Sequence, residues 1–154
     1  WEDNLVLDEH GRYGIDSAER ERTPGDLNPT NELGYARRVI AASIKFSKLL
    51  GKNTEKLAKW QDYLDRLSPY STTVSDRLVV FKGCENRRAV SFMGPRDNPV
   101  NIDHIYPAEA LSMQRGRKDL QIIARNTIKA MDSWNQGNAF PRIFSQAVRC
   151  RYDG

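Results

Sequence analysis

Long apolar runs are missing from this chain of 154 residues. Nothing approaches the roughly 18 consecutive apolar positions of a membrane-spanning helix, so no membrane partner is expected. Histidine is scarce, with only His10 and His104, and so is cysteine, with Cys84 and Cys150. The two cysteines show no Cys-x-x-Cys or His/Cys ligand spacing, so no metal site is expected. Two thiols so far apart leave a single disulfide open as an alternative. Low-complexity tracts and short tandem repeats are absent too, and the hairpin spacing is far too wide for units of about 34 residues. The chain opens Trp1-Glu2-Asp3 with no initiator Met and no signal-peptide pattern, as expected of a piece of a longer polypeptide. Basic charge is present but not gathered. Lys and Arg total 24 against 20 acidic residues, a net +4, and the densest pairs, Arg37-Arg38 and Arg87-Arg88, do not extend. Nucleic-acid surfaces collect such charge on one face, so nucleic acid is not expected as a partner.

What is there is globular. Charged residues make up 29% and hydrophobic residues 39% of the chain. That length and balance suit one domain over residues 1–154, able to bury about two-thirds of its unfolded surface. Residues 1–27 are polar and irregular, with "NLVL" as a short strand and "DEHGRYG" as turn chemistry. Helices are expected at about 28–50, 54–68, 117–134 and 138–150. Asn28-Pro29 reads as a cap followed by a first-turn proline, and Gly51 as the left-handed stop. Leu33, Ala36, Ile40, Ile44 and Ser47 share one face of the first helix. Val39, Ala42, Phe46 and Leu49 share another, as expected of a helix packed on two sides. Short connections make these helices antiparallel αα-hairpins. Between the hairpins, "RLVVFKGCENRRAVSFM" offers two β-prone runs around a Gly-containing turn, a small β-ribbon or irregular insertion.

Three stretches carry a more specific likeness. "LLGKNTEKLAKWQDYLDRLSPY", "IDHIYPAEAL" and "ARNTIKAMDSWNQGNAFPRIFSQAVRCRYDG" resemble, in that order, segments of the (α/α)6-barrel glycoside hydrolases, most nearly the family 95 α-L-fucosidases. The resemblance implies a mainly α fold whose antiparallel hairpins form part of an (α/α)6 toroid. It implies inverting hydrolysis of an oligosaccharide or glycoconjugate, with two carboxyl groups spaced widely enough to admit a water and with no metal or organic cofactor. It also implies a secreted or periplasmic location, and a truncated apolar edge through which copies self-associate. Where the family shows His-x-x-Ser-His, only His104 stands here, preceded by Asp103. Where the family carries its general acid in Ser-Pro-Glu-Asn, this chain has "DSAERERTPGD".

The candidate catalytic residues are therefore Glu21 and Glu19, with a charged loop balanced by Arg20 and Arg22 as the plain structural alternative. Candidate substrate-binding residues are Asn31, Asp103, His104, Tyr106 and Trp134. Asp103 accepts from two hydroxyls, His104 both donates and accepts, and the aromatic rings offer faces for sugar stacking. Trp60 lies on a core stripe, where packing explains it. The alternative from another functional class is a non-catalytic helical protein-interaction or carbohydrate-binding domain, for which an exposed apolar groove would speak.

Overall fold

The computed structural model describes residues 2–17, 26–86, 117–130 and 140–151. Strand β1 (Leu5–Leu7) turns back into β2 (Tyr13–Ser17), pairing Leu5 with Ile15 and Leu7 with Tyr13. The turn between them is built by one side chain. Asp8 Oδ1 accepts from the backbone N–H of His10 at 2.9 Å and of Arg12 at 2.8 Å, while Gly11 takes the left-handed conformation. The other edge of β2 pairs with the short β3 (Asp26–Leu27), Ser17 opposite Asp26.

Helix α1 (Thr30–Leu50) follows, then a 3-10 turn at Thr54–Lys56 and helix α2 (Leu57–Arg66). Gly51 ends α1 at φ 62°, donating its N–H to Ser47, as its place after a long apolar stripe predicts. Asn28 does not cap the helix. Pro29 holds the cap position without a side-chain bond, and Asn28 sits at φ 50°, buried, with its amide turned to β2. Its Oδ1 accepts from Ile15 N–H at 2.8 Å and its own N–H donates to Ile15 O at 2.8 Å. A Cβ on Gly14 would meet that Oδ1 at 2.9 Å, so the glycine leaves the space the amide occupies.

The expected stripe of α1 divides in two. Leu33, Ala36, Ile40, Ile44 and Ser47 are all buried, against Ile15 and Leu67 at one end and Tyr63 at the other. The second stripe is open: Val39 is 42% exposed, Phe46 56% and Leu49 69%. Packing on one side satisfies the helix.

After α2, β4 (Thr72–Ser75) and β5 (Leu78–Phe81) form a tight antiparallel hairpin. Asp76 and Arg77, both at positive φ, make its two-residue loop, the backbone that a primed turn requires. A ribbon is therefore present, but it lies one strand earlier than the sequence suggests. Thr72 to Ser75 supply the partner strand, and residues 87–116 lie outside the described part. Helix α3 (Lys118–Ala130) covers the free edge of β5. Thr127 Oγ1 accepts from Phe81 N–H at 2.9 Å, and Asn126 donates to Val79 O at 3.0 Å. Val80, Phe81, Leu120, Ala124 and Ile128 close a second core there. Cys150 of α4 (Phe140–Cys150) joins it. Cys84 and Cys150 are both buried and not joined to each other.

This arrangement corrects the expected fold. Four α-helices stand beside two small antiparallel sheets among the described residues, a small α+β fold rather than part of an (α/α)6 toroid. The reason lies in what covers the helices. A toroid stacks each hairpin between two others, whereas here strands β2 and β5 take up the apolar faces of α1 and α3.

Asn28→Ala should lose about 2–4 kcal/mol of stability, because it strands buried backbone groups and puts an ordinary residue in the left-handed region. Asn28→Gly, which keeps that backbone conformation available, should lose less. Urea unfolding of both variants measures the difference, and two neutral substitutions would refute the role assigned to the amide.

Candidate functional site

Most of the candidate residues lie outside the described part of the chain: Glu19, Glu21, Asp103, His104, Tyr106 and Trp134. Asn31 lies in the first turn of α1. No two of the candidates are brought together among the described residues. What is described is the ground on which their segments stand.

Segment 18–25 ends at Asp26, and segment 87–116 begins after Asn86. These two anchor points touch. Leu27 N–H donates to Asn86 Oδ1 at 2.8 Å, and Glu85 N–H donates to Leu27 O at 2.8 Å. Asn28 Nδ2 donates to Glu85 Oε2 at 2.6 Å, the shortest bond of the group. One residue on, Thr30 N–H donates to Gly83 O at 2.9 Å and Thr30 Oγ1 to Lys82 O at 2.6 Å. The Thr30 bond also provides for a backbone donor that the start of a helix leaves without an internal acceptor. Glu85 Oε1 lies 3.8 Å from Arg12, whose Nε is held at 2.8 Å by Asp8. The result is a polar clamp between residues 26–30 and 82–86, with a half-exposed carboxylate at its rim.

The far end of the same segment meets a second polar corner. Arg37, from the middle of α1, reaches under the end of α2. It donates to Leu64 O at 3.5 Å, Leu67 O at 2.9 Å and Ser68 O at 2.7 Å. Leu64 O and Leu67 O belong to the end of α2, where helix carbonyls lack internal donors, and Ser68 O lies just beyond it. The guanidinium stands 5.1 Å from the centre of the Tyr70 ring, and burial disfavours its charge. Burial also pushes the Tyr70 hydroxyl up to about 12, against the opposing pull of Arg37 and Arg117. Arg37 Nε, Ser68 Oγ and Tyr70 OH are out of solvent without a hydrogen bond of good geometry among the described residues, although the Arg37 and Tyr70 side chains stand close enough to interact.

A third feature is apolar. Val39, Ala42, Phe46, Leu50 and Trp60 line an open groove of about 400 Å³ between α1 and the start of α2. Trp60 is half-buried there, its indole N–H donating to Glu2 at 2.9 Å. His10 lies exposed in the first turn, 3.6 Å from Glu9. No group of three His, Cys, Asp or Glu among the described residues is placed to hold a metal. Likewise no described helix is long and apolar enough to cross a membrane.

Sequence reading missed Arg37, Ser68, Tyr70 and Glu85. A signal did exist for Arg37, since it falls between Leu33, Ala36 and Ile40 on the buried side of α1. A charged side chain there must find polar partners. Nothing local marks Glu85, whose role depends on an amide 57 positions away. Compared with models of protein families, with curated proteins and with solved structures, the chain matches none.

Tyr70→Phe keeps the ring that packs edge-on against Phe81 and removes only the hydroxyl. It should stabilise the fold by about 1–2 kcal/mol, the cost of a buried polar group without a partner. The raised Tyr70 pKa also fixes a sign. Between about pH 10 and 12 the folded chain keeps a proton that the unfolded chain has lost, so stability falls as pH rises through that window. Thermal melts across pH 9–12 should therefore show a shallower fall for the phenylalanine variant. A destabilised Tyr70→Phe would mean that the hydroxyl is satisfied.

Proposed function

We propose that the chain acts on carbohydrate as a glycoside hydrolase, with an α-L-fucoside as the first substrate to test, in a secreted or periplasmic setting. Glu21, with Glu19 as its substitute, serves as general acid. Asp103 and His104 bind sugar hydroxyls with Tyr106, Asn31 and Trp134 alongside. One observation supports this reading most: the segments that carry the acids and the His-containing loop are tied to the body at adjacent points, Asp26-Leu27 and Glu85-Asn86. Hydrolysis of a glycosidic bond needs two such groups on opposite sides of one sugar ring. The reading rests on the likeness of three sequence segments and on this anchoring, not on a toroid.

Glu21→Gln in the full-length protein should lower turnover of aryl glycosides by about 10²–10⁴-fold, the usual worth of a general acid. His104→Ala should cost about 1–3 kcal/mol of transition-state binding. Wild-type turnover in Glu21→Gln, Glu19→Gln and His104→Ala alike would sink the assignment.

A second reading, that of a helical interaction domain, draws on the groove between α1 and α2. Phe46, Leu49 and Leu50 are each more than half exposed on one helix, an apolar surface of the kind that drives association. Sedimentation should then show self-association that Phe46→Glu abolishes. A strict monomer at high concentration would remove this reading.

A further inference from the structure

From Leu33 to Thr54 the chain carries five cations, Arg37, Arg38, Lys45, Lys48 and Lys52, and no carboxylate. Arg37 turns to the end of α2, and the other four are exposed. They border the apolar stripe that α1 leaves open. Arg38 and Lys45, seven residues and so two turns apart, lie along one flank of Val39, Ala42, Phe46 and Leu49. Lys52, just past the helix, itself lines the groove between α1 and α2. On the α2 side Lys56 is exposed, its Nζ 6.0 Å from the centre of the Trp60 ring. The nearby carboxylate of Glu2 is taken up by Lys59 Nζ at 2.6 Å and by the Trp60 indole N–H at 2.9 Å. Glu55 stands outside the residues that line the groove. An apolar trough therefore runs between positive margins.

Shape and charge together narrow what would fit. Val39 to Leu50 cover about 17 Å of α1 at the helical rise, the length of a three-turn helix. A helix laid in such a trough offers anchors at i, i+3 or i+4, and i+7. A lipid surface takes up apolar side chains that stand out from a protein, whereas these wall a concavity, with Trp60 of α2 among the lining residues. A second copy of the chain brings the same cations, and like charges set face to face oppose docking. Self-association through Phe46 and Leu49 is then a contact of high concentration, which an occupant of opposite charge displaces.

We propose that this groove docks an acidic amphipathic helix of a partner protein, with its apolar face in the trough and its carboxylates against Arg38, Lys45, Lys52 and Lys56. The inference rests on the reading of the groove as an interaction surface and adds the chemistry of the partner. It is independent of the hydrolase assignment.

The test is fluorescence anisotropy of labelled peptides titrated with the full-length protein. Each peptide has about 16 residues, enough to cover the trough as a helix. One carries leucines at i, i+4, i+7 and i+11 with glutamates on the flanks. A second replaces the glutamates by lysines, and a third keeps the glutamates and replaces the leucines by serines. The glutamate–leucine peptide should bind at least about tenfold more tightly than either, and raising salt from about 0.05 to 0.5 M should erode its lead over the lysine peptide. Phe46→Ser should weaken it about tenfold. Lys52→Glu combined with Lys56→Glu should reverse the preference between the two leucine peptides. All three positions are exposed, so circular dichroism should show the fold kept. Equal binding of the two leucine peptides overturns the acidic partner and leaves an apolar interaction surface standing. Equal binding of the serine peptide overturns the inference as well, because charge alone then suffices. Binding of neither leucine peptide overturns it too, and a strict monomer in sedimentation then removes the interaction reading with it. Capture of the protein by phosphatidylserine vesicles that the glutamate–leucine peptide fails to prevent also overturns it, making the face a lipid surface.

Discussion

One side-chain amide in a left-handed turn holds the two halves of the described structure together. Asn28 pairs with Ile15 through both its backbone N–H and its Oδ1, so it extends the β2–β3 ladder past the end of β3. Its Nδ2 reaches the other way, to Glu85 beyond the β4–β5 hairpin. Asparagine suits the task because its short polar side chain tolerates the left-handed region and offers both a donor and an acceptor. With the turn fixed, Pro29 and Thr30 start α1 against Gly83, and the helix is aimed along the α2 face. Three apolar clusters then form around α1 and α3 rather than one, and Tyr70 packs against two of them.

The polar corners follow from the same geometry. Because α1 enters at Asn28 and runs past the end of α2, Arg37 is carried under carbonyls that would otherwise lack donors. It closes the α2 terminus in place of a glycine cap, since Leu67 continues in an extended conformation. Its terminal nitrogens serve the fold by donating to Leu64 O, Leu67 O and Ser68 O.

Sequence periodicity revealed what depends on neighbours along the chain. The buried stripe from Leu33 to Ser47, the Gly51 stop and the Asp8–Arg12 turn all rest on contacts within a few residues, and all are legible. Asn28 is not, because a helix cap and a left-handed bridge call for the same residue type. Only the position of β2 decides between them. The β4–β5 hairpin is hidden for a related reason: Asp76-Arg77 adopts positive φ without the glycine that usually announces such a turn. The apolar pattern of α1 led further astray. Two stripes read as two packed sides, yet Phe46 and Leu49 are each more than half exposed, and the toroid implied by the resemblance gives way to sheets on one side. Of the candidate site, only Asn31 falls within the described residues. The clamp at residues 82–86 was invisible because every bond in it joins positions more than fifty apart.

Native-state hydrogen exchange at the clamp is the most direct measurement of this account. The amides of Leu27, Thr30 and Glu85 all donate into it. If the clamp is the joint on which both segments stand, these three amides should exchange together, only through the opening that unfolds α1. Early exchange of Leu27 and Glu85 while α1 stays protected would contradict it.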